Sequence, residues 1–331
     1  MHRRNFLKRA STGMAVAYFA PSLLSCGQQQ AQDSSSTSPE NVREIGLQLF
    51  TLRDQIARDL KGTLRRVAEI GYNHVETFGP VAGDGGQVRY WGLSTNDLQS
   101  ILDETGLKTY SGHYDLADFL TPGNGNEDAL KAYLDSAAAL GQQYIIAPVP
   151  PMLLIDRLSV DDYRFMADQL NKGGELAASS GLKIGYHNHF WEFRPFEGGQ
   201  HGLDVLLSNT DAERVVFELD LFWTEKSGID SSAFFAQHPG RFPLWHIKDM
   251  DKNNAAPVIG PDFDKKPVME ITSAITYAEV GTGTIDFKKI MGEEKTAGLQ
   301  LAFVEQDLIT IDPYESITKS YQYVRDNLFS T

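Results

Sequence analysis

From residue 44 onward the chain alternates between two hydrophobic periods, short apolar runs that end in polar or charged side chains and longer stretches whose apolar residues recur at helical spacing. IGLQLFTL at 45–52 reads as a strand, and Ile56, Leu60, Leu64, Val67 and Ile70 mark a helix over 54–70 that Gly71 stops. The unit then repeats. HVETFG at 74–79 precedes a helix near 94–105, LKTYSGHY at 107–114 one near 127–140, and QYIIAPV at 143–149 one near 161–180, with Gly106, Gly141 and Gly181 as stops. Four more strands follow at 183–189, 215–223, 243–249 and 299–306. Parallel strands need crossovers, so eight strands with interleaved helices predict a single-domain α/β fold, a (β/α)8 TIM barrel, over 44–331. Two segments break the period. Residues 79–92 are rich in Gly and read either as a lid or as a disordered surface loop; residues 251–284, with Pro257, Pro261, Pro267, Phe263 and Tyr277, read as an ordered cap.

The first 26 residues read as an export signal. Arg3-Arg4-Asn5-Phe6-Leu7-Lys8 resembles a twin-arginine motif, and the apolar stretch from Gly13 to Leu24 is too short to span a membrane. It ends in Leu23-Leu24-Ser25-Cys26, which resembles a lipobox and makes Cys26 the expected lipidation site. Residues 27–43, polar and rich in Gln and Ser, read as a flexible linker. The expectation is export by the twin-arginine route to the periplasm and membrane attachment through the lipid alone. Cys26 is the single cysteine, so no disulfide is available and stability must come from burial.

Charge narrows the partners. The formal charge is −14, and removal of the leader, which carries Arg3, Arg4, Lys8 and Arg9 and no acid, leaves 26 basic residues against 44 acidic. Such a surface repels nucleic acid and does not steer phosphorylated substrates inward. A small-molecule carbohydrate is the expected partner, with a homodimer as an open expectation.

Side chains two apart on a strand share a face, which pairs His187 with His189, Glu218 with Asp220, His246 with Lys248, and Glu305 with Asp307. Active sites of such barrels lie at the carboxyl ends of the strands. His187, Asp220, His246 and Glu305 are therefore expected to converge on one divalent metal ion, and two imidazoles with two carboxylates suit Mn, Zn, Co or Fe(II). Taken singly, each has a plainer reading, a hydrogen-bonded structural histidine or an aspartate capping the next helix. Candidate catalytic groups are Glu305, Lys248, His189 and Glu192, although Lys248 reads equally as a structural ion pair with Glu218, and Glu192 as a rim residue. Gln48, Glu76, His113 and Trp223 are candidates for binding sugar, with an interior ion pair to Arg or Lys as the alternative for Glu76.

The ordered series GLQLFTLRD at 46–54, LRRVAEIGYNHVE at 64–76, YHNHFWEF at 186–193, ELDLFWTEKSG at 218–228, HIKDMD at 246–251, VGTGTIDF at 280–287 and FVEQD at 303–307 resembles the sugar phosphate isomerase/epimerase family of xylose isomerase-like TIM barrels, which includes inosose dehydratase and ketose 3-epimerases. The resemblance implies a divalent metal held by Glu, Asp, His and Glu at the ends of the last four strands. The Asp carries over to Asp220, the His to His246 and the last Glu to Glu305. The first Glu does not, because His187 stands there, and this weakens the case for epimerisation by two glutamates working from opposite faces.

The resemblance implies chemistry beside a carbonyl, through an enediolate intermediate. Export and the acidic surface point to a neutral sugar or keto-sugar. The expected activity is a metal-dependent isomerase or epimerase, with a lyase or dehydratase acting on 3-keto-glycosides or cyclitols by β-elimination as the alternative. A carbohydrate-binding lipoprotein with a degenerate site is the non-enzymatic alternative. The barrel also resembles endonuclease IV, but charge and the expected export oppose a DNA substrate.

Overall fold

The computed structural model describes residues 43–260 and 263–330; the expected leader with Cys26, and the linker as far as residue 42, lie outside them. Eight parallel strands close into a barrel: β1 (Gly46–Gln48), β2 (His74–Phe78), β3 (Lys108–His113), β4 (Tyr144–Ala147), β5 (Lys183–His187), β6 (Val215–Asp220), β7 (Leu244–Ile247) and β8 (Leu301–Val304). Each strand pairs with its sequence neighbours, and β1 closes the ring against β8 with Gly46 opposite Phe303. Helices α1 (Arg53–Ile70), α2 (Thr95–Thr105), α3 (Asp128–Ala139) and α4 (Val160–Ala178) lie where the apolar spacing predicts, and α5 (Gly202–Asn209), α6 (Ser231–Gln237), α7 (Phe287–Met291) and α8 (Pro313–Asn327) complete the outer layer. Local chemistry fixes their ends. Ser94 and Asp97 form a reciprocal cap on α2, as Ser159 and Asp162 do on α4, and α2 stops where Gly106 turns left-handed at φ 75°.

Two strands end earlier than their apolar runs suggest, for a reason visible in each. The Gln48 side chain accepts the Phe50 backbone N–H at 3.0 Å and turns Leu49–Leu52 into a 3-10 helix. Asp220 accepts the Trp223 backbone N–H at 2.9 Å and starts a short helix, Leu221–Lys226, where strand was expected through residue 223.

Inside the barrel, Tyr144, Ile146, Val216, Leu244 and Phe303 pack as a cluster separate from the larger core between sheet and helices. Gly46 sits among them because a Cβ there would collide with His74 and Phe303. One pleat further along the same strands the inward positions turn polar, to Glu218, His246 and Glu305. The interior thus has an apolar floor beneath a charged layer.

Within residues 79–94 the structure has strands rather than an irregular loop: Val81–Ala82, Val88–Tyr90 and Leu93–Ser94 form a three-stranded antiparallel sheet that turns through Trp91 at φ 52°. The 251–284 segment is tied down at both ends. Asp249–Met250 pairs antiparallel with Tyr277–Ala278, and the Asp249 carboxylate accepts the backbone N–H groups of Met250, Gly281, Gly283 and Ile285. No helix among the described residues is long and apolar enough to cross a membrane.

Candidate active site

The charged layer has two tiers. In the lower one, Glu76 on β2 accepts hydrogen bonds from Gln48 Nε2 (2.7 Å) and Ser111 Oγ (2.5 Å), and its Oε2 lies 2.8 Å from His246 Nε2. Glu218 on β6 gathers three imidazoles on one oxygen, with His113 Nε2 at 2.6 Å, His187 Nδ1 at 3.1 Å and His246 Nε2 at 3.2 Å. Burial pushes the Glu218 pKa up, but the charges of His246 and His113 outweigh it and hold the carboxylate well below its ordinary range. Glu76 moves the other way, raised by burial and then by the negative charge of Glu218.

These carboxylates decide which way the histidines face. An imidazole nitrogen beside an ionised carboxylate carries the proton, so His187 is protonated on Nδ1, while His246 has carboxylates at both nitrogens and the charges of Glu218 and Glu305 raise its pKa well above the usual imidazole value against the push of burial. The remaining nitrogens look upward: His246 Nδ1 lies 2.9 Å from Glu305 Oε2 and 3.9 Å from Asp220 Oδ2, and His187 Nε2 lies 3.8 Å from Asp220 Oδ2. Burial, then the charge of His246, brings the His187 pKa down to about 3, so that ring is neutral and keeps a lone pair. Carboxylates that orient histidines from behind are the usual support of a metal centre.

The residues fit a divalent cation on a further observation. Asp220 is fully buried, yet its Oδ2 accepts no hydrogen bond of good geometry, although Lys248 Nζ lies 2.9 Å away. Ligand atoms of Asp220, His246 and Glu305 lie within 4.8 Å of one another and could hold the ion. His187 groups instead with His113, Glu218 and His246 in a second set that shares His246. Three of the four expected ligands thus meet directly, and the fourth stands beside them on the Asp220 side.

Lys248 pairs with Asp220, with Glu305 at 2.7 Å and with Asp307 at 3.0 Å, rather than with Glu218. Burial lowers its pKa, but the three carboxylates overcome that and raise it well above the usual lysine value. The same ammonium, with His246, holds Glu305 low against the upward push of burial.

A cavity of about 280 Å³ opens over this tier, walled by His113, His187, His189, Glu305 and Asp307 and by the apolar Phe50, Phe78 and Val149. Of the expected sugar-binding residues His113 reaches it. Gln48, Glu76 and Trp223 are buried outside its wall: Gln48 and Glu76 support the histidines, Glu76 pairs with imidazoles rather than with Arg or Lys, and Trp223 packs against His189 with ring centres 5.3 Å apart. Glu192 is also buried outside the wall, where it accepts the His189 backbone N–H at 2.7 Å and the Tyr186 hydroxyl at 2.5 Å; burial pushes its pKa up to about 7. It positions His189, whose ring stacks on Trp191 at 4.2 Å and is kept neutral by burial. Glu218 and Asp307 have one signal each in the sequence, their alternation with Asp220 and Glu305, which does not by itself set them apart as site residues.

Residues 64–304 match the xylose isomerase-like TIM barrel family. The chain is 28% identical over 250 residues to inosose dehydratase of Geobacillus thermodenitrificans, covering 70% of this chain and 80% of that one. Among solved structures it resembles a sugar phosphate isomerase/epimerase from Parabacteroides distasonis, with a TM-score of 0.71, 25% identity and coverage of 90% and 98% of the two chains. A likeness of fold alone extends to the 3-keto-D-glucoside 4-epimerase of E. coli, at a TM-score of 0.60 and 16% identity over 86% of this chain and 99% of that one. With its barrel, its inward histidines and carboxylates and a match across most of its length, the chain belongs to the xylose isomerase-like TIM barrels, an enzyme family of isomerases, epimerases and inosose dehydratase.

Proposed function

We propose that the protein is a divalent-cation-dependent enzyme that removes the proton beside the carbonyl of a neutral keto-sugar or cyclitol and then expels the β-substituent, a dehydratase or lyase. The observation that carries this reading is the pair Glu305 and Asp307. Both line the cavity and touch one ammonium, that of Lys248, yet their environments push them apart. Glu305 is held ionised, whereas burial raises Asp307 in spite of Lys248. Two carboxyl groups with separated proton affinities supply a base and an acid.

In the proposed reaction Glu305 takes the C–H proton, and the electron pair passes through the enediolate to form C=C as the β C–O bond breaks. The leaving oxygen takes the bond pair and a proton from Asp307, and proton return from Glu305 through solvent resets the pair. Because both groups stand on the same side of the cavity, loss of proton and leaving group from one face is favoured. A cation held by Asp220, His246 and Glu305, with His187 beside them, would supply the positive charge that polarises the carbonyl. His113 and the neutral His189 are placed to hydrogen-bond sugar hydroxyls. The cavity wall carries neither Lys nor Arg, which supports an uncharged substrate. The relative described as inosose dehydratase, with 80% of its length covered, supports the same class.

A second reading, isomerase or epimerase, is favoured by the three histidines in the cavity wall, which offer alternative sites for returning the proton. Incubation of the Mn-loaded protein in D2O with a 3-keto-glucoside and with a keto-cyclitol, followed by NMR, separates the two. Loss of water or aglycone supports elimination, and deuterium uptake with the carbon skeleton and substituents intact supports isomerisation or epimerisation. Neither exchange nor elimination across both substrates would overturn both and leave the carbohydrate-binding alternative.

A further inference from the structure

The reaction cavity has a neighbour. A second cavity of about 350 Å³ lies between the 79–94 sheet and the loop after β3, and Gly79 lines both. The two are joined through structure as well as position: β3 ends at His113, in the inner wall, and two residues on Asp115 enters the outer one. We propose that the outer cavity is a second sugar subsite, so that the substrate is a neutral glycoside of at least two units, such as a keto-disaccharide, with the reacting ring inside and the second unit outside.

This rests on the action on a neutral keto-sugar proposed above. Size is the first argument. The inner cavity lies at the lower edge of the usual range for small-ligand sites, about 300–1,000 Å³, and suits one ring; the pair together falls well inside that range. Chemistry is the second. The outer wall combines the exposed carboxylates of Asp115 and Asp118 and the amide of Asn126 with the apolar faces of Val81 and Tyr133. Carboxylates and amides accept hydroxyl hydrogens while apolar surfaces meet C–H faces, the two things that a sugar ring presents. Asp118 keeps acceptor capacity to spare, since its hydrogen bond from Asn124 Nδ2 is long at 3.4 Å. The outer wall holds two acids and neither Lys, Arg nor His, so an anionic second unit would be repelled.

Gly79 is the residue that both cavities share as wall. Its φ is +58°, and a Cβ built there has no atom within 4 Å, so a side chain would stand in open space at that shared wall. Asn tolerates this left-handed conformation, which makes Gly79→Asn an obstruction there with little backbone strain.

The test uses the metal-loaded full chain with a 3-keto-hexose, its methyl glycoside and the corresponding 3-keto-disaccharide, reading kcat and KM for each. The expected result is a kcat/KM at least tenfold higher for the disaccharide than for the methyl glycoside. That ratio should collapse in Asp118→Ala through a rise in KM, and in Gly79→Asn. A ratio near one in the wild-type protein, or a ratio unchanged in both variants, overturns the subsite. If no keto-sugar reacts, the functional reading has failed and the subsite is judged by calorimetry with the parent disaccharide and monosaccharide. Tighter binding of the disaccharide that Asp118→Ala abolishes supports it, and equal or undetectable binding of both overturns it.

Discussion

Lys248 Nζ lies 2.7 Å from Glu305 Oε2, with the ammonium buried and the carboxylate at the edge of the reaction cavity. The ammonium also reaches Asp220 and Asp307, so three carboxylates share its single positive charge. Removing one partner from a buried ion group costs about 3–5 kcal/mol, because the others remain as uncompensated charge. Lys248→Met is expected to lose stability of that size in urea titrations, and Mn(II) is expected to restore more of it in the variant than in the wild-type protein. An equal response of the two proteins to Mn(II) would separate Lys248 from the cation site.

The second expectation concerns the cation itself. Elemental analysis of protein purified with Mn(II) should find close to one ion per chain, and Asp220→Asn or His246→Gln should lose most of it. His187→Ala should weaken retention by about 10- to 100-fold, as expected for a ligand at the edge of the set or a neighbour that orients it. Unchanged content in all three would exclude this tier as the binding place.

A pH dependence follows from His74, at the floor of the barrel. Burial brings its pKa from 6.5 to about 4, where it packs edge-on against Phe303 at 5.0 Å. The unfolded chain therefore binds more protons than the folded one between these values, and this group's contribution is whole above pH about 6.5 and lost as pH falls through about 4. The loss reaches about 3 kcal/mol at most. His74→Phe should flatten that part of the stability profile relative to the wild-type protein, and a parallel profile would rule His74 out as its source.

Asp249 should prove a positioning residue for the cap. Its carboxylate collects four backbone N–H groups, and stranding buried donors costs about 1–3 kcal/mol each. Asp249→Ala is expected to lower the melting temperature and to speed limited proteolysis within 251–284. Proteolysis that remains confined to other segments would show that the cap holds without it.

At the amino terminus, Cys26→Ser should move the protein from the detergent phase to the aqueous phase when it is expressed with its leader in an exporting bacterium. Equal partitioning of the two forms would remove the lipid-anchor expectation.

The barrel and the inward aim of its polar side chains were legible because both depend on alternation. His187 and Asp220 are the last residues of β5 and β6, and a period of two is enough to aim them inward. Depth was not legible. Alternation says that Glu218 shares a face with Asp220, but not that it lies one tier lower among imidazoles; the contacts that show this, His113 to Glu218 and Glu76 to His246, span 105 and 170 residues. Trp223 illustrates the other limit. Once Asp220 caps a helix, the strand period stops and the residues after it point elsewhere. The role of Glu192 was hidden for a related reason, since it sits on a 3-10 turn that folds back under His189.

His246 answers to Glu76 on one side and Glu305 on the other, each within 2.9 Å. No member of that chain can be exchanged alone without stranding a charge in a dry interior. Substitutions there must come in matched sets, whereas an exposed rim residue such as Asp118 can change by itself. Divergence in what such a barrel accepts should therefore accumulate at its edge, long before its chemistry changes at the centre.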